Sequence, residues 1–143
     1  MVIRRSAGVE AVVEQFYDVM RGVGSAEELL SSDMTVAIGT DEEEWDTDHA
    51  GAVAGFFSQS QEAGSVTVQA GSPRGFSDGG FGWFQDRALV TLADGESVPV
   101  RVTGVVRFED GRWRLVQVHV SIGLPNAELG LDLTTNPGAQ RGG

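Results

Sequence analysis

Two short strings, Leu92-Ala93-Asp94-Gly95-Glu96 and Phe108-Glu109-Asp110-Gly111-Arg112, constrain this chain more than any other feature, because each sets Asp-Gly between runs rich in Val, Phe, Trp and Leu. Such strings mark β-hairpins, since glycine accepts the left-handed backbone that tight turns between twisted strands require. Two hairpins in succession make three antiparallel strands, at about residues 81 to 92, 97 to 108 and 113 to 121. Loop length then sets the faces, because a slip of one residue turns every side chain to the other side. At the second turn a two-residue loop sets Val106 opposite Leu115, whereas a three-residue loop pairs Val106 with Arg114 and Val102 with Val118. A three-residue loop at both turns keeps one face apolar and is the expected register.

In that register one face collects Phe84, Asp86, Ala88 and Val90, then Val98, Val100, Val102, Gly104 and Val106, then Val116, Val118 and Val120. Helices should cover it. The opposite face collects Trp83, Gln85, Arg87 and Leu89, then Arg101, Thr103, Val105 and Arg107, then Trp113, Leu115, Gln117, His119 and Ser121. That face is too apolar to stand bare, so a homodimer through the sheet is expected, with Trp83, Arg101, Arg107, Trp113, Gln117 and His119 at its interface. The other reading is a solvated face with Arg107 stacked on Trp113. Asp86 is the exception among the valines. A carboxylate there must be paired, hydrogen-bonded, solvated or neutral. It is the candidate catalytic residue, a pocket acid or base whose proton affinity burial would raise. An irregular strand that turns it outward, or pairs it with a neighbouring arginine, is the competing reading.

Ahead of the sheet, Val9, Val12, Val13, Phe16, Tyr17 and Met20 recur at helical spacing from about residue 8 to residue 22. Gly22 and Gly24 end that helix. Ser25 with Glu28 forms a capping box for a short second helix, and Met34 to Gly39 reads as a strand. The acidic run from Thr40 to Asp46 reads as a loop. Thr47 is placed as the cap of a third helix, with Ala50, Val53, Ala54, Phe56 and Phe57 on its buried side and Gly64 beyond its end. A further strand at 65 to 75 joins the sheet through Ser77-Asp78-Gly79-Gly80. Helices first and an antiparallel sheet second is the order of a single α+β domain over residues 1–135. A short helix follows Pro125, and residues 136–143 are expected to be a disordered tail.

Composition excludes several functions. The formal net charge of -11 opposes attraction to nucleic acid or anionic membranes. No cysteine is present, which removes disulfides and thiolate chemistry. Only His49 and His119 could supply imidazole, so no metal site and no cofactor are expected. Asp46-Thr47-Asp48-His49-Ala50-Gly51 opens like a calcium loop, but Ala50 and Phe57 occupy ligand positions. Gly80-Phe81-Gly82 enters a strand, where phosphate binding needs a helix N-terminus. His119 and Ser121 share a face without a third triad member. No stretch of signal-peptide length follows Arg4 and Arg5, and none nears membrane-spanning length, so a cytoplasmic location is expected.

The order of these pieces, Asp33-Met34-Thr35-Val36, Gly39-Thr40-Asp41, Glu44-Trp45, a third helix, Gly82-Trp83 with Asp86, Arg101, Gly111-Arg112-Trp113 and His119 with Ser121, resembles the SnoaL-like branch of the nuclear transport factor 2-like (ketosteroid isomerase-like) superfamily. The resemblance implies a cone-shaped α+β barrel of N-terminal helices packed in a curved, mainly antiparallel sheet, usually homodimeric and enclosing a pocket. It does not imply one chemistry. The ketosteroid isomerase base would fall at Ile38 and its tyrosine near Phe16, with Tyr17 adjacent. The polyketide cyclase acid of the penultimate strand has no counterpart between Ser97 and Phe108. The expected function is therefore binding of a small, largely apolar molecule, with acid–base chemistry open. Tyr17, Asp41, Trp45, Phe84, Val102, Val118 and Val120 are its candidate contacts. The alternative is a non-enzymatic dimeric module whose cone is filled by Phe56, Phe57 and Met20.

Overall fold

Ser6 begins the first helix in the way its side chain allows, accepting the amide of Val9 at 3.2 Å and so satisfying a donor with no partner inside the helix. The computed structural model describes residues 2–63 and 66–130. Helix α1 (Ala7–Met20) buries Val9, Val12, Val13, Phe16 and Tyr17 of the expected face, and also Val19, while Met20 is half-buried. Ser25 caps α2 (Ala26–Leu29) by accepting the Glu28 amide at 3.3 Å. Helix α3 (His49–Ala63) departs from expectation at its start. Asp48, not Thr47, supplies the cap, accepting the Gly51 amide at 2.7 Å. Among its described side chains Ala52 and Phe56 are buried, while Phe57 is 67% exposed. α3 presents the Ala52 and Phe56 side of the helix to the core, an i, i+4 pair, and Ala50, Ala54 and Phe57 of the expected buried side are exposed.

The strands are β1 (Arg4–Arg5), β2 (Val36–Ile38), β3 (Trp45–Asp46), β4 (Thr67–Gln69), β5 (Arg74–Asp78), β6 (Phe81–Thr91), β7 (Ser97–Glu109) and β8 (Arg112–Ser121). They form one sheet in the order β1-β5-β6-β7-β8-β2-β3, with β4 also on β6. Every pairing is antiparallel except β2 on β8. The sheet packs its inner face on the helices. Val106, Leu115, Leu30, Val9 and Val13 are all fully buried there, each worth about 1.5–3 kcal/mol against exposure. A short 3₁₀ turn at Asn126–Leu129 follows Pro125. The expected tail at 136–143 lies outside the described residues.

The first hairpin has the expected three-residue loop, Ala93-Asp94-Gly95. Leu92 donates to the Glu96 carbonyl at 2.8 Å, Gly95 has φ 89°, and Phe84 meets Gly104 across the pair. The second hairpin does not. Asp110 and Gly111 alone turn the chain, with φ 51° and 80°, so Glu109 faces Arg112 and Val106 faces Leu115. A bulge then adds Val116 to β8 opposite the step between Val105 and Val106, and beyond it Val102 faces Val120. The bulged carbonyl is taken by the Thr35 amide at 2.8 Å and the Thr35 hydroxyl at 3.0 Å. Beyond the bulge, Gln117, His119 and Ser121 keep the expected outer face. Before it the faces exchange. Leu115 is wholly buried, and Trp113 packs inward, its indole 3.0 Å from where a side chain on Gly8 of α1 would begin.

Candidate functional site

Beyond Ala88, the inner face of the sheet carries aliphatic side chains among the described residues, and the described side chains of the helices leave space above them. Val90, Val98 and Val100 of β6 and β7, Val118 and Val120 of β8, and Ala37 and Ile38 of β2 make one wall. Phe16 and Met20 of α1 with Ala52 and Phe56 of α3 make the other, and a cavity of about 680 Å³ lies between them. That volume lies within the range of small-molecule sites, about 300–1,000 Å³. Phe56 and Met20 line the space instead of plugging it, and Phe57 points out to solvent.

The mouth is built by the acidic loop between β2 and β3. Gly39 donates to the Glu44 carbonyl at 2.9 Å, Glu44 Oε1 accepts the Asp41 amide at 2.9 Å, and Asp41 Oδ1 accepts the Glu43 amide at 3.0 Å. These short-range bonds are the ones Asp and Glu side chains readily make with nearby amides in turns. They hold Asp41, Glu43 and Glu44 at the rim, where Asp46 joins them from β3. Asp46 lies along α3 at Gly51 and Gly55. A Cβ at position 55 would stand 2.7 Å from Asp46 Oδ2.

Asp86 belongs to a different part of the interior. It points inward from a regular stretch of β6 opposite Val102 and is 6% exposed, yet it is not among the cavity-lining residues. Tyr17 donates its hydroxyl to Asp86 Oδ2 at 2.7 Å, the Ser72 amide donates to Oδ1 at 2.9 Å, and the Gly71 amide donates to Oδ2 at 3.2 Å. Hydrogen-bond donors offset the desolvation of the carboxylate, and no arginine is needed. Gly71 must be glycine for this approach, since a Cβ would stand 2.1 Å from the Arg87 carbonyl oxygen. Burial, then the bond to Asp86 and its charge, push the Tyr17 hydroxyl far above its ordinary range, so it stays a donor.

The remaining sequence candidates divide between cavity and core. Val118, Val120 and Asp41 line the cavity; Tyr17, Phe84 and Val102 are packed in the core beside Asp86, and Trp45 is 62% exposed outside it. Ile38, where the resemblance places the isomerase base, gives the cavity a hydrocarbon wall. Other lining residues were not among the sequence candidates, Phe16, Met20, Phe56, Val90, Val98, Val100 and Asp46 among them. All of these but Asp46 carried a signal, their place on an expected apolar face of a helix or of the sheet. On the outer face, Arg101, Gln117 and His119 are exposed, and Trp83 stacks on Phe76 at 6.3 Å between ring centres. Arg107 is engaged within the chain by Asp33 and Glu109, which raise its already high pKa. Trp113 leaves the interface set because the two-residue turn puts it on the helix side.

Among the described residues no group of three His, Asp or Glu side chains is arranged to hold a metal, and no helix is long and apolar enough to cross a membrane. Residues 9–125 match the family described as the SnoaL-like domain. No curated protein sequence matches. Among solved structures, a nuclear transport factor 2-like protein of unknown function from Pseudomonas putida KT2440 is similar over 93% of this chain and 99% of its own, with a TM-score of 0.70 and 14% identity. A proposed dehydratase of the same superfamily from Streptomyces avermitilis aligns over 82% of this chain and 95% of its own, with a TM-score of 0.70 and 14% identity. A proposed ketosteroid isomerase from Shewanella frigidimarina NCIMB 400 aligns over 81% and 96%, with a TM-score of 0.64 and 16% identity. At such identities the likeness is one of fold.

Proposed function

The chain belongs to the SnoaL-like domain family, and from that premise we propose that it binds a small, largely apolar molecule in the cavity between α1, α3 and the sheet. The observation that carries this reading is the unfilled volume of about 680 Å³ walled by valines, Ile38, Phe16, Met20 and Phe56. An apolar space of that size gains free energy when a hydrocarbon displaces its water. Asp86 acts in this reading as a fastener that joins α1, β6 and the Gly71-Ser72 turn. Any proton transfer to a bound molecule falls to Asp41, Glu43, Glu44 or Asp46, the titratable groups among the described lining residues.

A cavity-filling variant tests the reading. Val98→Trp, at the end of β7 on the cavity wall, should abolish the heat of 1-octanol binding in calorimetry while circular dichroism stays native. Equal heats for the two proteins would reject the cavity as the site. The outer face supports homodimerisation as a second part of the proposal, because Trp83 and Val105 form a half-buried pair there and Leu89 is 38% exposed. Sedimentation equilibrium at micromolar concentration should return a dimer, and Val105→Glu should return a monomer; a monomeric parent protein removes this part.

A further inference from the structure

The apolar wall of the cavity leaves open what kind of head group its ligand carries, and the charges around the mouth bear on that question. Asp41, Glu43, Glu44 and Asp46 line the cavity, and no arginine or histidine among the described residues does. The chain contains no lysine. Its described arginines lie elsewhere. Arg107, Arg112 and Arg114 gather at the Asp110-Gly111 end of the sheet, where Glu28, Asp33 and Glu109 meet them. Arg107 is nine positions along β7 from Val98, or about 30 Å in an extended strand, well beyond screening distance. Arg87 and Arg101 are exposed on the outer face, and Arg21, beside Met20, is paired with Asp18.

Asp46 adds an observation independent of charge counting. Asp46 is half-buried as a residue, and its carboxylate faces the stretch of α3 that carries Gly51 and Gly55. A Cβ at Gly51 would lie 3.6 Å from its Oδ1, and one at Gly55 would collide with Oδ2. The carboxylate therefore sits in the cavity wall instead of extending into water, at the junction of hydrocarbon lining and acidic rim.

We propose that the cavity selects an amphiphilic cation, an apolar body carrying a protonated amine or quaternary ammonium group held at the mouth by Asp46 and Asp41. This rests on the binding reading above and adds the charge of the ligand to it. The apolar body occupies the space between Phe56 and the valines, and the cationic head stays at the rim, partly hydrated. A carboxylate head on the same body meets four like charges. A neutral head loses the attraction and keeps the hydrophobic gain.

Titration calorimetry of the full chain with 1-octylamine, 1-octanol and octanoate, at neutral pH and low salt, separates these cases. Octylammonium should bind on the order of tenfold tighter than octanol, the factor expected from two or three partly screened ion contacts, with octanoate weakest. The double variant Asp41→Asn/Asp46→Asn should bring octylammonium to within about twofold of octanol without changing octanol affinity. The variant Glu27→Gln/Asp110→Asn removes the same net charge at the far end of the molecule and should preserve the preference. If the rim variant fails to fold, salt provides the second measurement. Added sodium chloride should weaken octylammonium and leave octanol unchanged. Equal affinity for octylammonium and octanol overturns the charge selection while leaving the binding reading intact. A preference reduced equally by the rim and distant variants also overturns it, by assigning the effect to overall charge. Failure of all three probes to bind overturns both readings.

Discussion

Replacing Tyr17 with phenylalanine removes one oxygen atom from the interior and leaves every carbon in place. Tyr17 is 1% exposed, its hydroxyl is 2.7 Å from Asp86 Oδ2, and Asp86 is itself buried. No large cavity forms, so the cost reports the bond to the carboxylate. Hydrogen bonds to charged groups contribute about 1.5–3 kcal/mol, and the two backbone amides that remain keep Asp86 from standing unpaired. A loss of about 2 kcal/mol is expected, which moves the urea midpoint down by about 1 M. Urea unfolding followed by tryptophan fluorescence measures it. A cycle with Asp86→Asn should return a coupling of about 1–2 kcal/mol, since the two side chains touch. A midpoint shift below about 0.3 M would refute the fastener role of Asp86. The same Asp86→Asn protein, wherever it is folded, should bind 1-octanol as the parent does.

Three further outcomes follow from single contacts. Tyr17 is the only tyrosine in the chain, so tyrosinate absorbance reports it alone; its raised pKa means stability is complete below pH 10 and declines as pH rises further, and absorbance should appear only with unfolding, a decline that Tyr17→Phe removes. Glu10 has a lowered pKa because it accepts the Gly75 amide and then pairs with Arg5, so its contribution is present above the ordinary carboxylate range and is lost as pH falls through its folded-state value; Glu10→Gln should be less stable than the parent at neutral pH, with the difference vanishing in acid. At position 104 a Cβ would stand 2.4 Å from Phe84 Cζ, so Gly104→Ala must displace a buried ring and should cost about 1–3 kcal/mol in thermal unfolding.

Much of the architecture was legible because it rests on short-range chemistry. Ser25, the glycines after Met20 and the stripe from Val9 to Tyr17 act within a few residues of themselves, and α1 and α2 lie where those residues place them. The candidate site was less legible. Asp86 stood out in the sequence as a carboxylate among valines, but its three donors come from positions 17, 71 and 72, and nothing local announces that they converge. Asp46 looked like one residue of a solvated run. It becomes part of the cavity wall only because α3 passes beside it with Gly51 and Gly55 facing it.

The two Asp-Gly turns mark the same boundary within one motif. The sequence by itself determined that three strands follow one another through tight turns, that Phe84 to Val90 and Val98 to Val106 alternate toward a common apolar face, and that helices precede them. At Ala93-Asp94-Gly95 it also determined the register, because alternation on β6 and β7 and the Asp-Gly turn call for the same three-residue loop, which Leu92 closes on Glu96. At Asp110-Gly111 the tertiary structure decided. A two-residue turn with Val116 bulged and a three-residue turn without a bulge place the same residues inward beyond position 116, so alternation cannot choose between them. Burial of Leu115 and Trp113 against the helices, and Thr35 bonding to the bulged carbonyl, favour the first. Those partners lie about eighty or more residues away along the chain, at a distance that only folding closes.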